Sequence, residues 1–283
     1  MRPEMVGRQH ELTVLVEYLE TALAGDPRLM VCRGEPGIGK TRLAEELVTV
    51  ATAQGVPAVW GRGIEADGAP PYWPWRQLLR ATAEVLDVGA LAETHRLTPD
   101  ISRLAPDLFP TAEPGVDSGS AQDRFKQFDA VGRLLRHVAA RTPLVIILDD
   151  VHWADQPSLL LLRHVARTLT DERLLFVVNH RDTEQTHSSI VTDLLREPAA
   201  REMNLGGLAT PAVGRQLASV VGHDVSENEA EESVRSRAGT RSSSARSAGC
   251  SASGLRGPLH HWSPRVSARR SVAASSAWHP SPS

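Results

Sequence analysis

The sequence predicts an α/β fold with a mainly parallel sheet, arranged as a three-layer sandwich in which helices cover both faces of the sheet. Three observations support this prediction. Apolar runs typical of buried strands alternate with amphipathic helical patterns, the run at 144–148 is apolar throughout, and a glycine-rich loop at 34–41 lies between a strand pattern and a helix pattern. The 283 residues suffice for one large domain or two small ones.

The individual elements follow from hydrophobic periodicity. Leu12, Leu15, Leu19 and Leu23 recur at three- and four-residue steps, which is the pattern of an amphipathic helix. We predict helices over 9–23, 41–53, 76–86, 123–141, 158–169, 190–195 and 211–221, strands over 28–33, 56–62, 144–148 and 174–178, and helical fragments with a loop between 89 and 120.

The loop from Gly34 to Thr41 matches the pattern G-x-x-x-x-G-K-[ST]. Its glycines let backbone N–H groups turn inward around phosphates, Lys40 supplies a positive charge to them, and the Thr41 hydroxyl is suited to Mg²⁺. A chance match in a glycine-rich turn is the alternative, but a strand precedes this loop and a helix follows it, as the mechanism requires. We therefore predict that the chain binds ATP with Mg²⁺ through Gly34, Glu35, Pro36, Gly37, Ile38, Gly39, Lys40, Thr41 and Arg42.

A second motif follows the apolar run at 144–148, where Asp149 and Asp150 stand at the strand end. A carboxylate at the tip of a buried strand is what a P-loop ATPase uses to hold Mg²⁺. We expect Asp149 to serve the metal together with Thr41, and Asp150 to polarise the attacking water. The alternative is a strand that ends in an ordinary polar turn. Asp155 is expected to cap the following helix, which has Pro157 in its first turn.

The strand pattern at 174–178 also ends in polar residues. Asn179 is a candidate for orienting the attacking water and Arg181 for sensing phosphate charge. Between the two strand ends, His152 and Trp153 are more plausible as residues that pack beneath the nucleotide site than as metal ligands or stacking groups.

Together these motifs resemble the STAND branch of AAA-like P-loop ATPases. The resemblance is closest to the ATPase domains of large LuxR-type bacterial transcriptional regulators and to the ATPase modules linked to nucleotide cyclases. It covers about residues 5–234 and is carried by VGR at 6–8, the loop at 34–41, GAPPYWPWR at 68–76, LDDVHWAD at 148–155 and RDTE at 181–184. It implies an AAA-like P-loop NTPase fold, a helical lid, and nucleotide-dependent switching and self-association. Arg62 and Arg76 are candidates for an arginine that acts on a neighbouring subunit.

The composition changes near residue 235. The last 49 residues contain 14 serines and eight arginines but no lysine, aspartate or glutamate, so a disordered tail is expected. We predict an ATPase domain at 1–210, the start of a lid at 211–234 and this tail at 235–283. Family members carry Gly-Asn-Pro-Phe-Phe-Val near this point, and one permitted coding of 238–244 yields that motif when read two bases later. A frame change or truncation that removes the effector domain is therefore our hypothesis.

Composition and local sequence also give expectations for the cellular location, the cysteines and DNA binding. The N-terminus lacks the apolar core of a signal peptide and no apolar stretch is long enough to span a membrane, so a cytoplasmic location is expected. Cys32 and Cys250 lie in segments of different character, which argues against a disulfide. The scattered arginines of the tail lack the pattern of a nucleic-acid-binding arm, and no DNA-binding domain is predicted in this chain.

Three functions remain open from the sequence. The first is a regulatory ATPase of the STAND type that hydrolyses ATP slowly, since Asp150 stands where many relatives of the wider class have the longer glutamate. The second is a non-switching remnant that binds ATP only. The third is a DNA-associated ATPase resembling origin-recognition proteins, for which a winged-helix pattern after 234 would be expected and is not seen.

Overall fold

The computed structural model describes residues 5–65, 69–110, 120–181, 188–208 and 212–213, with the backbone alone at 188–190. All of them belong to one compact unit, Met1–Ser236. Gly68, Asp182–Glu184, the rest of the predicted lid and the predicted tail lie outside the described residues, so these predictions stay untested.

Helices and strands alternate along the described chain. Their bounds are α1 Gln9–Leu23, β1 Arg28–Gly34, α2 Lys40–Ala53, β2 Ala58–Arg62, α3 Trp73–Val85, α4 Val88–Thr94, α5 Thr98–Ile101, α6 Ala121–Arg141, β3 Leu144–Asp149, α7 Gln156–Thr168, β4 Leu174–Arg181, α8 Ser188–Leu194 and β5 Ala200–Asn204. A single 3₁₀ turn, Val151–Trp153, joins β3 to α7.

The described strands form a five-stranded sheet in the order β2-β3-β4-β1-β5, and every neighbouring pair is parallel. The predicted α/β class with a parallel sheet is confirmed. All the strands end at the same edge, so the loops that follow β1, β3 and β4 meet there. Since β4 lies between β1 and β3, its polar end lies between the ends of these two strands.

Alternation along the strands gives the sheet an apolar core on each face. Val145 and Ile147 of β3 join the core formed with α1 and α2, whereas Ile146 and Leu148 join the larger core formed with α3 to α7. This is the three-layer arrangement that the sequence predicts. Within the described part of the chain, no helix is both long enough and apolar enough to cross a membrane.

Strand β5 is the element that the sequence analysis missed. Only two of its five side chains, Ala200 and Met203, are buried, and the others are exposed. An edge strand needs one apolar face and one neighbour, so its sequence carries a weak apolar signal. Its pairing with β1 was therefore not predictable from hydrophobic periodicity.

Candidate nucleotide site

The glycine-rich loop joins the end of β1 to the start of α2. Gly39 caps α2 with φ +106°, a conformation that side chains other than glycine rarely adopt. Its carbonyl accepts a hydrogen bond from the Leu43 N–H at 2.9 Å, which closes the first turn of the helix. The free N–H groups of this turn make the helix start a favourable place for an anion.

Lys40 is the first residue of α2 and is largely buried. Its Nζ donates to the carbonyls of Gly34 at 2.7 Å and Glu35 at 2.9 Å, so the ammonium group lies within the loop. Burial lowers the pKa of Lys40, and the nearby charge of Asp150 opposes that shift. A positive charge is thus held at the point where the loop backbone turns.

The side chain of Arg42 lies along the surface of α2. Its guanidinium pairs with Glu46 one turn ahead and lies 3.6 Å from Glu45. The structure therefore places Arg42, which the sequence analysis included in the binding set, in an ion-pair network on its own helix.

Asp149 is the most buried carboxylate of the site, with 1% of its side chain exposed. The Thr41 hydroxyl lies 3.2 Å from Oδ1 and 3.1 Å from Oδ2, which links the glycine-rich loop to the end of β3. Oδ1 also accepts from Asn179 Nδ2 at 2.8 Å and from the Asp150 N–H at 3.2 Å, and Oδ2 accepts from Arg62 Nη2 at 2.8 Å. Thr41, Asp149 and Asn179, which were predicted from three separate segments, lie together.

Asp150 adopts a left-handed backbone conformation, φ +52°, at the start of the 3₁₀ turn. Its carboxylate is partly exposed, with Oδ1 3.9 Å from His152 Nδ1 and 3.8 Å from Arg181 Nε. Burial and the neighbouring charge of Asp149 raise the pKa of Asp150. Asp150 thus has a partly exposed carboxylate with a raised proton affinity next to the buried carboxylate of Asp149.

Comparison with known proteins identifies a family for this chain. The model of the family described as AAA ATPase domain matches residues 4–178. The chain belongs to this family. Uncharacterized protein R02095 of Rhizobium meliloti (strain 1021) is 25% identical over 193 residues, which are 62% of this chain and 18% of that protein. The chain thus spans less than a fifth of the length of this relative.

Two solved structures match this chain in part. Cdc6p from Pyrobaculum aerophilum matches with a TM-score of 0.52 and 13% identity, over 80% of this chain and 54% of that one. The Aeropyrum pernix Orc1 protein, solved in complex with DNA, matches with a TM-score of 0.43 and 16% identity, over 77% and 50%. At such identities the likeness to Cdc6p concerns the fold alone.

Aromatic and histidine side chains pack around the loop between β3 and α7. The ring of His152 lies 5.0 Å from that of Trp153 and 6.3 Å from that of His180. Burial, followed by the charges of Arg181 and His180, lowers the pKa of His152 to about 4. The packing role predicted for His152 matches this environment. Trp153 is more exposed. The guanidinium carbon of Arg181 lies over the Trp153 ring, 5.8 Å from the ring centre.

A direct connection between two of the motifs, the tryptophan-proline segment at 69–76 and the acidic segment at 148–155, was not predicted. Asp155 caps α7 by accepting from the Ser158 N–H at 3.3 Å, as expected, and it also accepts from the Tyr72 N–H at 2.9 Å. Trp75 Nε1 donates to the Ser158 carbonyl at 3.0 Å. The tryptophan-proline segment therefore docks on the start of α7, which stabilises the loop that carries Asp149 and Asp150.

Arg8 has contacts that were not predicted from the sequence. It is buried, donates to the carbonyl of Gly206, and lies 3.3 Å from the Ile38 carbonyl of the glycine-rich loop. Its other terminal nitrogen binds Glu11 at 2.7 Å. Arg8 thus ties the loop to the segment that leaves β5. The sequence signal for this role of Arg8 was its position in the VGR motif at 6–8.

Proposed function

We propose that this chain binds ATP with Mg²⁺ at the AAA site and hydrolyses it slowly, as the regulatory ATPase domain of a STAND-type signalling or transcriptional regulator. The observation that carries the proposal is the contact of the Thr41 hydroxyl with the buried carboxylate of Asp149. It brings the phosphate-binding loop and the acidic strand end within one hydrogen bond of each other.

The donor set suits Mg²⁺. A hydroxyl and a carboxylate are hard oxygen ligands, and Mg²⁺ is held in such sites by one or two protein oxygens together with phosphates and water. Thr41 and Asp149 would hold the ion here. When bound, Mg²⁺ neutralises charge that develops on the phosphate oxygens during hydrolysis.

The remaining side chains have complementary roles in the proposal. Lys40 supplies a fixed positive charge to the phosphates, and Asp150 accepts a proton from the attacking water. Asn179 is fully buried, and its Oδ1 has no hydrogen-bond partner among the described protein atoms. That oxygen is an acceptor suited to orienting water, while Arg181 supplies positive charge at the same edge of the sheet.

A switching role is supported by the contacts of Arg8. Its guanidinium contacts backbone carbonyls in the phosphate-binding loop and in the segment that leads toward the predicted lid at 211–234. A change in the loop on nucleotide binding would alter this shared contact. We therefore propose that nucleotide state is communicated to the lid through the segment at 205–208.

The chain offers a matched pair of variants, because Lys40 and Lys126 are its two lysines. Lys126 is exposed on α6. We expect Lys40→Ala to weaken binding of a fluorescent ATP analogue at least tenfold and Lys126→Ala to bind like the wild type. A loss of about 1.4 kcal/mol of phosphate contact corresponds to that factor.

Turnover separates a slow ATPase from a binding-only protein. In a phosphate-release assay we expect slow activity in the wild type and loss of at least tenfold in Asp150→Asn, with ATP binding retained. Equal binding by Lys40→Ala and the wild type would refute the assigned site. ATP binding without any turnover by the wild type would favour a non-switching remnant.

A further inference from the structure

The guanidinium of Arg62 binds the carboxylate that the proposed function assigns to Mg²⁺. Arg62 Nη2 lies 2.8 Å from Asp149 Oδ2, and half of the Arg62 side chain is exposed whereas that of Asp149 is almost completely buried. The three other donors to this carboxylate described above, from Thr41, Asn179 and the Asp150 backbone, are uncharged. Arg62 therefore supplies a formal positive charge to a buried negative one.

The backbone of Arg62 is held in place on both sides. Arg62 is directly opposite Asp149 in the pairing of β2 with β3, and the next N–H, of Gly63, donates to the Asp149 carbonyl at 2.9 Å. A Cβ atom on Gly63 would overlap the Asp150 carbonyl, so the two strand ends approach as closely as glycine permits. The Arg62 carbonyl accepts from Gln77 Nε2 at 3.0 Å.

A fixed backbone and a half-exposed side chain give Arg62 two available positions. Its guanidinium can lie on Asp149 or extend into solvent without any movement of the sheet. Oδ2 is the oxygen with fewer donors, because Asn179 and the Asp150 N–H both bind Oδ1. A hydrated cation approaching Asp149 needs acceptor capacity on this carboxylate, and Arg62 occupies the less crowded oxygen.

We propose that Arg62 competes with Mg²⁺ for Asp149, so that the ion pair must open before the metal is held. The inference rests on the proposed Mg²⁺–ATP site and adds a regulatory residue to it. Arg62 neutralises the buried carboxylate until the metal arrives and thereby raises the Mg²⁺ concentration needed for tight nucleotide binding. The inference also assigns Arg62 to the nucleotide site of its own subunit, whereas the sequence made it a candidate for acting on a neighbouring subunit.

The quantity that tests this inference is the ratio of two dissociation constants of a fluorescent ATP analogue, one in EDTA and the other in excess Mg²⁺. Effects of Arg62 on the phosphates themselves act in both buffers and cancel. Arg62→Ala has no ion pair to open, so we expect the dissociation constant in EDTA divided by that in Mg²⁺ to rise about fivefold. This factor is the effect expected for an ion pair with one solvent-exposed partner. We expect Arg62→Lys to restore the ratio to within twofold of the wild type.

Arg80→Ala is the matched control, because Arg80 lies on the neighbouring helix α3 and forms an ion pair of its own, with Nε 2.8 Å from Asp107 Oδ2. We expect its ratio to stay within twofold of the wild type, and binding in EDTA to confirm that each variant is folded. An unchanged or lowered ratio in Arg62→Ala would overturn the competition, and so would an equal rise in Arg80→Ala. If the wild type bound no ATP in either buffer, both this inference and the proposed function would be wrong.

Discussion

Asp155 provides the sharpest test of how the nucleotide-site loop is stabilised. Its two carboxylate oxygens bind different elements: Oδ1 accepts from the Ser158 N–H of α7, and Oδ2 accepts from the Tyr72 N–H at the start of α3. Tyr72 has φ +61°, an unfavourable conformation for a residue other than glycine, so this bond also holds a strained backbone. Asp155→Ala removes both contacts at once.

The expected cost can be worked from the two bonds. Loss of an N-cap side chain costs about 1 kcal/mol of unfolding free energy. A hydrogen bond from a partly buried N–H to a charged acceptor adds about 1.5 kcal/mol. We therefore expect Asp155→Ala to lower the free energy of unfolding by about 2.5 kcal/mol.

Asp87 is the matched control, because its side chain caps α4 through one bond, from the Ala90 N–H at 2.9 Å. Asp87→Ala is expected to cost about 1 kcal/mol. Urea unfolding followed by circular dichroism measures both variants against the wild type. If Asp155→Ala costs no more than Asp87→Ala, the bond to Tyr72 contributes nothing and the proposed docking of the two motifs is wrong.

Two further predictions concern pH and packing. Because the pKa of His152 is about 4 in the folded chain and about 6.5 when unfolded, the stability it contributes is complete above pH 6.5 and is lost as pH falls toward 4. Between pH 6.5 and 4.5, the free energy of unfolding of the wild type should therefore fall by about 1–2 kcal/mol more than that of His152→Gln. An equal fall in the two proteins would contradict this prediction. Gly61→Ala should lower the thermal midpoint by several degrees, since the added Cβ would overlap the Pro74 carbonyl, whereas Gly206→Ala meets no atom within 4 Å and should leave the midpoint nearly unchanged. Equal thermal midpoints for these two variants would contradict this prediction, because they would show that the end of β2 can move to accommodate the added Cβ.

Much of the fold was predictable because its signals are local. The apolar run at 144–148 predicted a strand buried on both faces, and the structure buries every residue of β3. The turn of the loop at 34–41 was predictable for the same reason, since Gly37 and Gly39 have positive φ angles that glycine adopts readily. Strand β5 was missed because a half-exposed edge strand has few apolar residues.

The contacts of the site were only partly predictable. Thr41, Asp149 and Asn179 each stood at a strand end or helix start, so parallel strands were expected to bring them to one edge. The order of the strands across the sheet was not predictable from the sequence, and that order decides which side chains are in contact. Arg62 reaches Asp149 because β2 is the direct neighbour of β3.

The sequence by itself determined the α/β class, the phosphate-binding loop and the acidic strand end, because each depends on residues adjacent in the chain. Only the tertiary structure decided that Arg62 pairs with Asp149, that Asp155 holds Tyr72, and that Arg8 joins the loop to the segment after β5. The contacts of Arg62 and Asp155 join residues 87 and 83 positions apart in the chain, and those of Arg8 join residues 30 and 198 positions apart. The physical reason is that a hydrogen bond at such a separation depends on strand order and packing, which no local pattern encodes.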